Sequence, residues 1–113
     1  MISYEDFAKI EIKVGKVMNA EKIPDTDKLL RLAVDFVEKD EGGNIKPRQI
    51  VSGIALLIPP ENLIGRKFTF VTNLEPRMIR GFESQGMILA AGDGENLSLL
   101  SVSDMIKEGT KVK

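Results

Sequence analysis

The sequence predicts an all-β fold, a five-stranded barrel with short helices and a C-terminal extension, and three observations carry that prediction. Apolar residues recur with a period of two in several separate stretches, the mark of half-buried strands. Clusters of glycine, proline, asparagine and aspartate separate those stretches as turns. The 113 residues suit one domain over 1–113, long enough to bury a core without disulfides or metal staples.

Each element follows in chain order. Ser3, three residues ahead of Asp6, matches a capping box that opens one helical turn through Phe7 and Ala8, placed as a lid on the barrel. Ile10, Ile12 and Val14 alternate with Glu11 and Lys13 as a first strand, which Gly15 interrupts as a bulge. Beyond the turn Pro24-Asp25-Thr26-Asp27, Leu30, Leu32, Val34 and Phe36 share one face of a second strand. Gly42-Gly43-Asn44 closes a hairpin onto a third, Ile45 to Ser52, with Pro47 marking an edge or bulge at its start. Pro59-Pro60 in front and Gly65 behind frame a short helix of one or two turns. Phe68, Phe70 and Thr72 lead a fourth strand and Met87 to Ala91 a fifth; Asp93-Gly94 turns the chain into Leu97 to Leu100, and Ser101 to Lys113 form a tail. Three strands, a short helix and two strands is the order of the OB barrel, although an SH3-like barrel shares this pattern.

Composition narrows the function. Cysteine and histidine are both absent, which removes thiol nucleophiles, disulfides, the usual zinc ligands and the commonest general base. No enzyme, metal site or cofactor is expected. The N-terminus is acidic where a secretory signal is basic, and no apolar run approaches a membrane span, so a cytoplasmic protein with no membrane partner is expected. A formal net charge of −1 means that any nucleic-acid site must be a local patch.

One basic island exists. Between residues 66 and 80, Arg66, Lys67, Arg77 and Arg80 face a single acid, Glu75, and the core of this stretch lies between the fourth and fifth strands, where OB barrels often grip oligonucleotides. Guanidinium forks suit phosphates because they donate two hydrogen bonds to two oxygens, although a solvated surface loop accounts for the charge equally well. Ser84-Gln85-Gly86-Met87 offers a hydroxyl, an amide and a glycine for close backbone approach; Met87 suits a base face or core filling. Asp25 and Asp27 read as turn-capping residues in preference to a metal pair, while Lys28 ends the first barrel loop near the face used for nucleic acid. Aromatic residues are few, which favours recognition of a folded RNA by backbone and shape over stacking of splayed bases. Phe82, beside the basic loop, fits both a stacking surface and a core anchor.

These residues resemble a known family, the tRNA-binding domain at the C-terminus of bacterial methionyl-tRNA synthetase, with relatives among free-standing tRNA-binding proteins and cytokine-like synthetase cofactors. Six blocks carry the resemblance in family order, from Phe7 to Gly15, Asp27 to Leu32, Gln49 to Ile54, Leu63 to Arg66, Asn73 to Gly81 and Glu83 to Ala91. The resemblance implies an OB fold, a homodimer, and tRNA bound by shape at Lys28, Arg48, Asn73, Arg77, Arg80, Ser84 and Met87, with the firmest correspondence at Asn73, Arg80, Ser84 and Met87. Glu75 and Ile79 stand where many relatives carry basic residues, which implies modest affinity. A sister branch of export-related chaperone-like proteins shares the barrel but lacks the Val51-Ser52-Gly53-Ile54 and Ser84-Gln85-Gly86-Met87 blocks as they stand here.

The expectation is a non-catalytic module whose tail and N-terminal turn pair two barrels, either a free-standing tRNA-binding protein or a methionyl-tRNA synthetase subunit or C-terminal domain that supplies tRNA to a catalytic chain. Two rivals are a chaperone-like dimer that binds unfolded polypeptides and a carboxylate hydrolase built on Asp25, Asp27 or Asp93. No constellation supports the second.

Overall fold

A computed structural model describes residues 1–113. Helix α1 (Tyr4–Ala8) precedes β1 (Ile12–Lys22), β2 (Leu30–Asp35) and β3 (Arg48–Ser52), and a single 3₁₀ turn (Pro60–Asn62) leads to β4 (Lys67–Val71). A hairpin of β5 (Arg77–Ile79) and β6 (Phe82–Ser84) follows, then β7 (Met87–Ile88), a second hairpin of β8 (Ala90–Gly92) and β9 (Leu97–Leu99), and β10 (Lys111–Val112). Antiparallel pairing orders five strands β3-β2-β1-β4-β7, a nearly closed barrel of OB type, with β10 added to β1.

The long β1 is the hub. Its first half pairs with β4 from Ile12 to Lys16 and its second half with β2 from Lys16 to Lys22, so one strand serves both sides of the barrel. The register shifts between Val17 and Asn19, and this bulge, not Gly15, bends the strand. Gly15 pairs regularly with Phe68, and its lack of a side chain has another cause. A Cβ there would lie 2.5 Å from Val34 Cγ1, 2.6 Å from Phe36 Cε1 and 2.9 Å from Phe70 Cδ1, so the core fills the space over the glycine. Those side chains belong to the core, where Phe36 and Phe70 meet edge to face at 5.3 Å and the alternation of β2 buries Leu30, Leu32 and Val34.

Three expectations change. Ser3 Oγ accepts from the Asp6 N–H at 3.1 Å as the capping pattern requires, but α1 buries no residue and is not a lid. Five residues make too short a surface to close a barrel mouth, and Tyr4 and Phe7 stay exposed. The fifth strand is split, because the chain leaves β4 after Leu89 and pairs Ala90 to Gly92 with β9. The tail is partly intramolecular sheet: the Val14 N–H donates to Thr110 O at 2.8 Å, the Gly109 N–H to Val14 O at 2.7 Å, and Val112 pairs with Ile12.

The turns use local polar groups. Asp40 Oδ1 accepts from the Gly42 and Asn44 N–H groups at 2.9 and 3.0 Å, closing the hairpin ahead of β3, which starts only after Pro47. Asp93 Oδ1 accepts from the Glu95 and Asn96 N–H groups, and these bonds hold its carboxyl below the usual carboxylate range. That carboxylate shapes a turn. In the first barrel loop it is Thr26, not the aspartates expected, whose side chain closes the turn, its hydroxyl donating to Ile23 O at 2.8 Å.

Gly15→Ala tests the packing above β1. The added methyl should lower stability by about 1–3 kcal/mol in urea denaturation through overpacking. An unchanged midpoint would show that the core over Gly15 is loose.

Candidate nucleic-acid interface

The stretch expected as a basic loop is a β-hairpin. Arg77 pairs with Ser84, Met78 with Glu83 and Ile79 with Phe82, leaving Arg80 and Gly81 as a two-residue turn. Both have positive φ, 51° and 86°, as a type I′ turn requires. Nothing lies within 4 Å of a Cβ placed on Gly81, so the backbone twist alone explains that glycine. The signal in the sequence was a glycine at the second turn position between Met78-Ile79 and Phe82.

Ser84, Gln85 and Gly86 join this hairpin to β3. Ser84 Oγ accepts from the Val51 N–H at 3.0 Å and donates to Gly86 O at 3.1 Å, with the residue only 5% exposed. The Gln49 N–H donates to Gln85 Oε1 at 3.0 Å, the Gln85 N–H donates to Gln49 O at 2.8 Å, and Gln49 Nε2 donates to Glu83 O at 2.9 Å. A Cβ on Gly86 would lie 3.0 Å from Val71 O and 3.1 Å from Ile50 Cδ1, so glycine permits the close approach that closes the barrel. The Ser84 hydroxyl, expected to meet RNA, is engaged inside the protein.

Arg48 and Asn73 are engaged likewise. The Arg48 guanidinium donates from Nε and Nη2 to the two Glu38 carboxylate oxygens at 2.7 Å each, and from Nη1 to Thr72 O and Gln85 O at 2.6 and 3.1 Å. It also lies 5.5 Å from the Phe36 ring centroid. This fork ties β3 to the ends of β4 and β6, which leaves it little to offer a phosphate. Asn73 Oδ1 accepts from the Glu11 N–H at 2.9 Å and Nδ2 donates to Lys9 O at 2.7 Å, pinning the link between α1 and β1. Three of the seven expected contact residues therefore act as fasteners.

The other four are free. Lys28, Arg77 and Arg80 are exposed and take part in none of the five ion pairs, and Met87 is 46% exposed. They surround two adjoining clefts. One, of about 440 Å³, is lined by Val51, Leu74, Glu75, Arg77, Ile79 and Met87. The other, of about 380 Å³, lies where the loop from Asp25 to Leu29 meets Ile79 and Arg80. Arg66 and Lys67, counted in the basic island, lie apart from both clefts: Arg66 stacks on Phe68 at 5.2 Å, and Lys67 Nζ donates to Asp104 O and Ile106 O at 3.0 and 2.7 Å. Phe82 is half-buried with the Arg31 guanidinium 4.9 Å from its ring centroid, so that ring is not an open platform. Leu74, Glu75 and Ile79 are cleft residues that the sequence reading did not assign to the site.

Acid stability follows from the Arg48 cluster. The hydrogen bonds from Arg48 hold the Glu38 carboxyl below its usual value of 4.5, and the Thr72 hydroxyl, donating at 2.5 Å, lowers that of Glu11. Lowered carboxylates stabilise the fold fully above their unfolded values and lose that contribution as pH falls through the folded ones. Melting temperature should hold from neutrality to about pH 5.5 and decline below about pH 4.5. Glu38→Gln should melt lower at neutral pH and decline less steeply in acid; an identical acid profile would show that Glu38 does not drive the loss.

Comparison with known proteins identifies the family and the fold. The family model of the tRNA binding domain matches residues 12–111. A methionine–tRNA ligase from Methanoregula boonei is 51% identical over 113 residues, covering all of this chain and 16% of that protein, so the chain spans about a sixth of the relative's length. The crystal structure of a MetRS-related protein from Pyrococcus horikoshii superposes with a TM-score of 0.88 at 41% identity, covering 100% of this chain and 98% of that one. The chaperone CsaA from Bacillus anthracis superposes with a TM-score of 0.81 at 30% identity, covering 100% and 99%. A family match that runs from the first residue of β1 into β10, over a barrel of the same shape, shows that this chain belongs to the tRNA-binding domain family.

Proposed function

We propose that this chain is a non-catalytic module that binds tRNA by its phosphate backbone and shape. The observation that carries the proposal is the grouping of three unpaired cations at one place on the barrel. Arg31, Arg48 and Lys67 are engaged by carboxylates or carbonyls, while Lys28, Arg77 and Arg80 stand unpaired around one pair of clefts. In this reading Lys28, Arg77, Arg80 and Met87 touch RNA, and Arg48, Asn73 and Ser84 hold the hairpin and strand ends that present them. The covered ring of Phe82 supports shape recognition over stacking along a single strand.

Three phosphate contacts per chain give weak binding at physiological salt, and a homodimer that joins two such faces multiplies the effect. Exposed apolar residues at the N-terminal segment (Ile2, Tyr4, Phe7) and on the tail (Met105, Ile106) support pairing through those segments. The proposed setting is the cytoplasm, delivering tRNA to the catalytic chain of a methionyl-tRNA synthetase; the names of the relatives support that partner. No helix is long and apolar enough to cross a membrane. A second reading, capture of unfolded polypeptide, draws support from the likeness to CsaA and from the apolar residues in the larger cleft.

Salt titration of tRNA binding separates these roles. Arg77→Ala and Arg80→Ala should each weaken binding and flatten the log–log salt slope by about one unit. Ser84→Ala should lower stability with the slope intact. Unaltered slopes in both arginine variants would remove the hairpin from the RNA site, and binding of denatured protein with indifference to tRNA would favour the second reading. Sedimentation at twice the monomer mass is expected for the pairing; a monomer at all concentrations would contradict it.

A further inference from the structure

The larger cleft has a feature that phosphate binding leaves unexplained. Its walls are apolar, from Leu74, Ile79 and Met87, yet an acid, Glu75, shares the lining with Arg77 and joins no ion pair. A carboxylate at the rim of a polyanion site repels the ligand unless the group entering the cleft brings N–H donors. The volume of about 440 Å³ lies in the range of small-ligand sites, roughly 300–1,000 Å³.

A nucleobase meets all of these conditions. Its faces suit the Met87 thioether and the Ile79 methyls, and its edge carries the donors that Glu75 lacks. The four bases differ at that edge. Guanine presents two adjacent donors, N1–H and the N2 amino group, which match both carboxylate oxygens as a fork. Adenine and cytosine present one amino group beside an acceptor, and the uracil imino group is flanked by two carbonyls that repel a carboxylate. An apolar side chain from an unfolded polypeptide would desolvate Glu75 with nothing to pair it.

We infer that this cleft captures one unstacked guanine of the bound RNA, with Glu75 reading its Watson–Crick edge, Met87 and Ile79 against its faces and Arg77 on its phosphate. The inference deepens the RNA-binding proposal and rests on it. It gives the site a preference for RNAs that expose a guanine, a selectivity that three phosphate contacts alone do not confer.

The test uses four RNA hairpins that differ only in one bulged nucleotide, with tRNA as reference, titrated by fluorescence anisotropy at two salt concentrations. The guanine bulge should bind about tenfold tighter than the uracil bulge. Glu75→Gln should shrink that ratio to about twofold without flattening the salt slope, and Met87→Ala should weaken all four hairpins alike. Equal affinity for the four bulges, a preference that survives Glu75→Gln, or binding of tRNA with no hairpin retained would each overturn the inference while leaving tRNA binding in place. Failure to bind tRNA at any salt concentration would instead remove the proposal beneath it. Displacement of RNA by a denatured polypeptide from the unmodified protein but not from Met87→Ala would assign the cleft to protein and overturn the inference.

Discussion

On the outer edge of β3, the N–H groups of Gln49 and Val51 face a neighbour that forms no regular ladder with them. Side chains satisfy them instead, Gln85 Oε1 for the first and Ser84 Oγ for the second. Left without acceptors in a closed barrel, each would cost about 1–3 kcal/mol. Because these acceptors sit at the root of the β5–β6 hairpin, the same bonds that seal the barrel fix where the hairpin springs from. Arg48 adds a second clamp by bonding Gln85 O and Thr72 O while Glu38 holds its other side. The hairpin tip carrying Arg80 therefore projects from an anchored base, and no buried side-chain nitrogen or oxygen in the molecule lacks a partner.

Charge acts through this anchoring. A protein of net charge −1 has no long-range field to gather a polyanion, so its partner must be met by a few cations in a fixed arrangement. Structure contributes to the arrangement by engaging cations elsewhere on the barrel: Arg31 faces Glu21, Arg48 faces Glu38, and Lys67 is held by the backbone around Asp104 and Ile106. What remains unpaired beside the clefts is Lys28 from the first barrel loop together with Arg77 and Arg80 from the hairpin. The apolar clefts between them offer a contact that salt does not screen, and specificity can reside there while charge supplies attraction.

The barrel was legible in the sequence because its evidence is local. The alternation of Leu30, Leu32, Val34 and Phe36 reports a buried face directly, and residue patterns around Gly42 and Asp93 report turns. Gly15 misled because a glycine within a strand reads alike whether it bends the chain or makes room for Phe70; only the packing tells them apart. The β5–β6 hairpin went unseen because three-residue strands give too short a period to register, and its Arg80-Gly81 turn lacks the usual asparagine or aspartate. For the site, residue type predicted capacity to bind and not availability. Ser84, Asn73 and Arg48 have the right groups for RNA, and each is occupied by a partner far away in the chain, 24 to 64 residues distant. Resemblance to a family pointed to residues that the fold gathers on one side of the barrel, and their hydrogen bonds separate those that face outward from those that hold the strand ends in place.

We propose that one face, made by the Lys28 loop, the β5–β6 hairpin and Met87, receives the RNA. Amide chemical-shift mapping during titration with tRNA tests it most directly. Perturbations are expected to concentrate at Lys28, Arg77 to Gly81 and Met87, with the guanidinium signals of Arg77 and Arg80 shifting and that of Arg48 unmoved. Perturbations centred on α1 or the 3₁₀ turn, with the hairpin silent, would contradict it.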